Sequence, residues 1–121
     1  MELSFYQKKM HDEIVEPMLE YRREVGKDSG YGLFQILQCR NILRDYLKRL
    51  NRLRNQSEGA VLCEVKRTVL RLNKLNDKTE GCLIETDARE SIWELIQTAA
   101  IDCGLKLSDE EEDITSEWRE W

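Results

Sequence analysis

The sequence predicts an all-α fold, a small bundle of four to five helices, and three observations support that prediction. The 121 residues include 6 glycines and 1 proline, so the frequent turns of a β-sheet protein are missing. Leu, Arg, Glu, Lys and Gln are abundant, and these residues lose little side-chain freedom in a helix. The charged fraction of 36% is typical of helices with one solvated face. The length suits a single helical domain over residues 1–121.

The N-terminal segment has apolar residues at every third or fourth position, which predicts a helix. Ser4 and Gln7 have the spacing of a capping box at its start. Pro17 lacks an amide hydrogen and crowds the carbonyl of Glu13, so we expect a kink or a restart near Glu16. The predicted buried stripe consists of Tyr6, Met10, Ile14, Met18, Tyr21 and Val25.

An antiparallel helical hairpin, over about 31–55 and 58–76, forms the predicted centre of the bundle. Its first half has a seven-residue apolar repeat, which keeps one side of a helix facing a partner. The repeat consists of Ile36, Cys39, Leu43, Tyr46, Leu50 and Leu53. The corresponding residues of the second half are Leu62, Val65, Val69 and Leu72. The short break between the two halves suits antiparallel neighbours.

A further helix is predicted between Asp87 and Cys103. Asp87 and Glu90 have capping-box spacing, and Gly104 can end the helix in a left-handed conformation. Its buried stripe consists of Ile92, Leu95, Ile96, Ala99 and Ala100. The apolar segment before this helix, residues 82–84, is predicted either as an extended segment under the bundle or as one turn of β-like backbone.

The C-terminal residues predict a short acidic helix over 109–121 that carries two tryptophans. Ser108 and Glu111 have the capping-box spacing, and acids in a first turn suit the helix dipole. A helix this short is unstable alone, so its apolar side must be buried either on its own bundle or on another chain. Ile114, Trp118 and Trp121 have the spacing of helix-in-groove anchors.

Charge is strongly segregated along the chain. Residues 38–78 carry 11 basic and 4 acidic residues, whereas residues 79–121, the C-terminal third, carry 3 basic and 13 acidic residues. One interpretation is that the basic hairpin and the acidic C-terminal third face each other within the fold. The other interpretation directs the acidic end outward at a basic partner.

Several functional classes are disfavoured. Arg40, Arg44 and Lys48 follow one helix face and could contact phosphates, but the pI near 5.0 and the lack of aromatic residues among the arginines make nucleic acid an unlikely partner. His11 is the only histidine, and no glycine-rich phosphate loop, serine elbow or Cys-His pair is present. We therefore expect no catalysis, no cofactor and no metal.

The remaining features suggest a cytoplasmic protein. No apolar run approaches the length of a membrane helix, and the first residues lack the pattern of an export signal. The four cysteines, Cys39, Cys63, Cys82 and Cys103, are widely spaced, and we expect all of them to be reduced and buried.

The sequence thus predicts a non-enzymatic helical module that binds a protein partner, possibly a basic one, through its acidic C-terminal third. Two alternatives remain: an immunity- or antitoxin-like inhibitor of a basic toxin, and a homodimer of structural role. The predicted partner-binding residues are Glu110, Glu111, Asp113, Ile114, Glu117, Trp118 and Trp121.

Overall fold

A computed structural model describes residues 1–53, 57–107 and 113–121, and within these ranges the fold is all-α, as the sequence predicts. No described helix is long and apolar enough to cross a membrane. The five α-helices are α1 (Leu3–Met10), α2 (Glu16–Val25), α3 (Leu33–Arg52), α4 (Glu58–Lys78) and α5 (Thr86–Asp102). A single apolar core, to which every helix contributes, lies between them.

The first two helices form one continuous rod that contains a π-helical turn at His11–Val15, just before Pro17. In this turn the Glu16 amide donates to the His11 carbonyl, five residues back. A wider turn accommodates a proline that cannot donate a hydrogen bond, so the expected irregularity near Glu16 is present. The extra residue also rotates the rest of the helix: Val15 is buried, whereas Tyr21 is 43% exposed and the prediction that it is buried is wrong.

Helices α3 and α4 pack against each other in the centre of the bundle. Asp45 pairs with Arg71, and Arg49, one turn further along α3, pairs with Glu64, earlier on α4. The pairs therefore run in opposite order on the two helices. The predicted repeat of α3 is fully buried as far as Leu50, but on α4 the core residue is Val61, and the neighbouring Leu62 is exposed.

The segment between α4 and α5 is irregular, with a turn at 79–81 and bends at Leu83 and Ile84. Leu83 and Ile84 are both buried, as the first of the two predictions for residues 82–84 expects, but the backbone bends there and is not extended. Asn76, a buried residue of α4, accepts a hydrogen bond from the Ile84 amide at 2.9 Å. Thr79 accepts another from the Leu83 amide at 3.1 Å. Side chains thus satisfy the backbone where no helix can.

Neither of the two predicted capping boxes that lie in the described residues, at Ser4 and at Asp87, is formed. Helix α1 begins after Glu2, so that Ser4 lies inside it, and α5 begins after Glu85 without a side-chain cap. The box predicted at Ser108 and Glu111 lies outside the described residues. The stop at Gly104 is observed, with a φ of +108°. Every residue of the predicted stripe on α5 is buried.

The predicted C-terminal helix over 109–121 is absent from its described part, residues 113–121, which form one turn and then an irregular chain. The Arg119 amide donates to the Thr115 carbonyl at 2.9 Å, which closes that turn. Beyond this turn, the side chain of Asn73 on α4 binds the backbone. Its amide nitrogen donates to the Trp118 carbonyl, and its amide oxygen accepts from the Glu120 amide. These tertiary hydrogen bonds replace the ones that would continue a helix.

Candidate functional site

The C-terminal segment, predicted to be buried either on its own bundle or on another chain, packs on its own bundle. Ile114 is 8% exposed and its amide donates to the Gln97 side chain at 3.1 Å. Trp118 and Trp121 are half-buried against the core. Ile114 therefore belongs to the core of this chain, and its role in binding a partner stays a prediction.

The acidic residues among the predicted partner-binding residues differ in their surroundings. Asp113 accepts hydrogen bonds from Thr115 and forms an ion pair with Arg119 at 2.9 Å, so its charge is compensated locally. Glu117 is exposed. Glu110 and Glu111 lie outside the described residues. Within the segment, the Arg119 guanidinium also lies 5.2 Å from the centre of the Trp121 ring, a cation–π contact.

In the part of the chain that the structure describes, no ion pair joins the basic hairpin to the acidic third, although one interpretation of the sequence expected the two to face each other. Among the described residues, the ion pairs of α3 and α4 join these two helices only to each other. Of the described acids in residues 79–121, Glu94 forms an ion pair with Lys9, and Asp113 forms one with Arg119. Over this part of the chain, basic and acidic surfaces thus remain separate.

An open cavity of about 500 Å³ has an acidic lining, and we call it the acidic groove. It lies between the rod of the first two helices and the start of α5. Glu13, Glu85 and Asp87 line it, and none of the described residues in its lining is Lys, Arg or His. Glu13 is already paired with Lys9, at 3.2 Å, whereas Glu85 and Asp87 are exposed and form no ion pair with another described residue.

Two tyrosines form one wall of the acidic groove. The rings of Tyr21 and Tyr31 are stacked, with centres 6.3 Å apart and planes inclined by 25°. The Tyr31 hydroxyl donates to the Met18 carbonyl at 3.5 Å. Burial raises the pKa of Tyr31 to about 12, with smaller contributions from Tyr21 and Glu85. The phenol therefore stays neutral at physiological pH and adds no charge to the groove.

Gly30 and Ser29 fix the position of the loop that leads into Tyr31. Gly30 has a φ of +83°, and a Cβ atom built on it would lie 2.6 Å from the Cys82 sulfur. Only glycine permits both this backbone conformation and such a close approach. The Ser29 hydroxyl, in turn, donates to the Tyr31 carbonyl at 2.9 Å. The loop between α2 and α3 is thus held against the segment that precedes α5.

The groove suits a cation with a hydrocarbon stem. Carboxylates bind guanidinium and ammonium groups, and the face of a tyrosine ring attracts cations. Ile14, Met18 and Leu83 supply apolar lining for the stem of an Arg or Lys side chain. No group of three or more His, Cys, Asp or Glu side chains is arranged for a metal ion within the described ranges.

Of the four cysteines, Cys82 lies in the lining of the acidic groove and the other three do not. All four are free: Cys39 and Cys103 are buried as predicted, Cys82 is half-buried in the groove lining, and Cys63 is exposed. The prediction that all four are buried therefore holds for Cys39 and Cys103, holds only in part for Cys82, and is wrong for Cys63. Burial raises the pKa of the Cys39 thiol to about 12, so this thiol is chemically inert.

The sequence predicted an acidic binding surface in the C-terminal third but not its concave part. Glu85 and Asp87 do belong to that third, whereas Glu13, Tyr21 and Tyr31 come from the first 31 residues. Their separation leaves no periodic signal in the sequence. The one available hint was Gly30 beside Tyr31, since a glycine that lies outside a predicted cap can mark a close approach of two chain segments. Comparison with protein-family models, with curated proteins and with solved structures found no match to this chain.

Proposed function

We propose that this protein is a non-catalytic helical interaction module that binds a basic segment of another protein in the acidic groove. One observation carries the proposal: a cavity of about 500 Å³ is lined by three carboxylates and a stacked tyrosine pair, without a cation in its described lining. Four free thiols favour a reducing compartment, so we place the interaction in the cytoplasm.

The physical basis of binding is partial desolvation. An arginine that enters the groove can place its guanidinium between the Glu85 and Asp87 carboxylates and its methylene groups over Tyr21. A charge-assisted hydrogen bond is stronger where water is partly excluded, and the cavity wall excludes water on one side. Each such contact on a half-exposed surface contributes about 0.5–1 kcal/mol to binding. Removing two carboxylates should therefore weaken binding about tenfold.

The test uses a short fluorescein-labelled peptide of alternating Arg and Gly, with fluorescence anisotropy as the readout. The groove variant combines Glu85→Gln with Asp87→Asn. Its matched control combines Glu20→Gln with Glu24→Gln, which removes the same charge from exposed residues outside the groove. We expect a loss of about tenfold for the groove variant and less than about twofold for the control. Equal losses in both would overturn the proposal, because net charge alone would then explain the binding.

The C-terminal acids are the other candidate contact for the same kind of partner. Glu117 is exposed, and Glu111 belongs to the acidic run outside the described residues. A variant with Glu111→Gln and Glu117→Gln is therefore included in the same titration. If it loses affinity while the groove variant does not, the binding surface is the C-terminal segment, as the sequence first suggested, and the groove proposal fails.

The two alternative roles are separated by simple measurements. An immunity- or antitoxin-like inhibitor would use the same acidic surface against a basic enzyme site, so the groove variant would lose inhibition. A homodimer would instead scatter light with twice the monomer mass of 14.4 kDa. A mass of 14.4 kDa that does not change with protein concentration excludes the homodimer.

A further inference from the structure

A second charged surface lies on the hairpin, away from the acidic groove, and we call it the basic face. On α4 its residues recur at spacings of four, three and four, which place them on one side of the helix. On α3 its residues lie on the side that carries Asp45, which contacts α4. The basic face consists of Lys48, Arg49 and Arg52 of α3 and of Arg67, Arg71, Lys74 and Lys78 of α4.

The carboxylates within the basic face are already paired. The Asp45 carboxylate is 2.8 Å from the Arg71 guanidinium, 3.1 Å from that of Arg49 and 3.6 Å from that of Arg67. Partial burial acts to raise the pKa of Asp45, but the hydrogen bonds and charges of Arg49 and Arg71 outweigh it and lower the pKa. Glu64 pairs with Arg49 and with Arg67, each at 3.8 Å. Seven cations thus share two carboxylates, which fix three of the guanidiniums at the junction of the helices.

One aromatic ring extends from the same surface. Phe34 is seven residues before Asn41 and eleven before Asp45, so it lies on the same side of α3 as these two residues. It is 68% exposed, more than any other large apolar residue of the described chain. Phe34 and the α3 cations of the basic face therefore lie on the same side of this helix, the side that carries Asp45.

This composition fits nucleic acid better than protein. Protein interfaces need an apolar, desolvated centre, and here the centre is an ion-pair network. Nucleic-acid interfaces are polar and basic, and arginine matches phosphate with two parallel hydrogen bonds. An exposed aromatic ring can stack on a base only where the base is not already stacked in a duplex, which favours a single strand.

We infer that the basic face binds single-stranded nucleic acid, with the phosphates along α4 and one base on Phe34. A helix rises about 1.5 Å per residue, so the stripe from Arg67 to Lys78 is about 16 Å long. This stripe carries four cations, so it can contact about four phosphates of a single strand. The overall pI and the lack of aromatic residues among the arginines disfavoured nucleic acid as a partner in the sequence analysis. The net charge of −5, however, is set mainly by acids on other elements, and the spacing along α3 puts the exposed Phe34 on the side of this helix that carries Asp45.

The test measures anisotropy of fluorescein-labelled oligo-dT and oligo-rU at salt concentrations between about 50 and 200 mM. With about four phosphates in contact and about 0.7 per phosphate, the slope of log affinity against log salt should be about −3. The face variant carries Lys48→Gln, Lys74→Gln and Lys78→Gln, three exposed lysines that are in no ion pair among the described residues. It should lose about tenfold in affinity and reduce the slope to about −1.

Two controls isolate the surface. A variant with Arg22→Gln, Lys27→Gln and Lys66→Gln removes the same charge from exposed positions elsewhere, and it should lose less than about twofold. Phe34→Ser should weaken binding at least about fivefold, while Leu33→Ser, which changes the neighbouring residue on a different side of α3, should not. Circular dichroism melting of each variant verifies that the fold is retained.

Several outcomes would overturn the inference. If both lysine variants lose the same affinity, the binding is general electrostatic attraction. If duplex DNA binds as tightly as oligo-dT and Phe34→Ser has no effect, base stacking on this face is wrong. If a labelled poly-glutamate peptide binds and neither oligonucleotide does, the basic face recognises an acidic protein instead. The groove variant, Glu85→Gln with Asp87→Asn, should bind oligonucleotide at least as well as the unmodified protein, since it removes negative charge only.

Discussion

Asn73 holds the C-terminal segment on the bundle, and its replacement by alanine should release that segment while the bundle stays folded. Its side-chain amide donates to the Trp118 carbonyl at 2.8 Å, and its side-chain oxygen accepts from the Glu120 amide at 3.1 Å. Asn73 is itself 6% exposed, so water cannot easily replace it. Two adjoining backbone groups thus lose their partner in a single substitution.

The expected magnitude follows from three contributions. Two hydrogen bonds, at about 0.5–1.5 kcal/mol each, contribute about 1–3 kcal/mol to the free energy of unfolding. Alanine is a better helix former than asparagine by about 0.5 kcal/mol, which offsets part of the loss. The Trp118 carbonyl and the Glu120 amide are only partly buried and can regain water, which favours the lower half of the range. We therefore expect a net loss of about 0.5–1.5 kcal/mol, or a melting temperature lowered by about 5 °C.

The assay combines urea unfolding with tryptophan emission in a Trp93→Phe background, where only Trp118 and Trp121 report. Asn73→Ala should shift the folded-state emission to longer wavelength because these rings gain contact with water. Asn76→Ala is the matched control: it removes a comparable buried hydrogen bond, to the Ile84 amide at 2.9 Å, from the same helix. It should destabilise without moving the emission. A loss below about 0.5 kcal/mol for Asn73→Ala, or equal emission shifts in both variants, would refute the assigned role of Asn73.

Three further predictions concern the core and its titration. Leu50→Ala, at a fully buried position, should cost about 2–5 kcal/mol in urea unfolding, and a cost below about 1 kcal/mol would contradict its place in the core. Tyr46→Phe should cost about 1 kcal/mol in the same assay, since the hydroxyl donates to the Ile96 carbonyl at 2.7 Å; no measurable cost would show that this bond contributes nothing. Tyr31 has a raised pKa of about 12, so its contribution to stability is present below about pH 10 and is lost as the pH rises through 12. The stability difference between the unmodified protein and Tyr31→Phe should therefore shrink between pH 10 and 12, and a constant difference would be inconsistent with that pKa.

The helical core could be predicted because helix geometry converts sequence spacing directly into a side of the helix. Ile36, Leu43 and Leu50 are seven residues apart, and all three are fully buried. On α4 the predicted stripe began at Leu62, but the buried residue there is its neighbour Val61. Only the position of the neighbouring helices decides between them, and the local sequence does not contain that information.

The helix ends were less predictable than the helix interiors. A Ser or Asp followed three residues later by Gln or Glu indicates a possible cap, but a cap forms only if the chain enters the helix from the right direction. At Asp87 the chain arrives through the buried Leu83 and Ile84, and α5 starts one residue earlier at Thr86. Tertiary burial of the entering segment thus decides where the helix begins.

Charge counts located the basic and acidic thirds but not their partners. An ion pair on a surface contributes little, so it forms where packing has already brought the groups together. Asp45 lies at the junction of two basic helices and therefore attracts three guanidiniums from them. Acids further along the chain have no comparable neighbour within the described hairpin. Helix packing, rather than charge, determines the pairing.

The two proposed surfaces can be distinguished because they depend on charges of opposite sign. At physiological salt the Debye length is about 8 Å, so a charge change on one face has little effect on a ligand bound to another. Removing the charges of Glu85 and Asp87 should weaken binding of the arginine peptide about tenfold and leave oligonucleotide binding intact, whereas removing those of Lys48, Lys74 and Lys78 should do the reverse. If either variant weakened both ligands, the two surfaces would not be independent, and a single site with mixed charge would have to replace them.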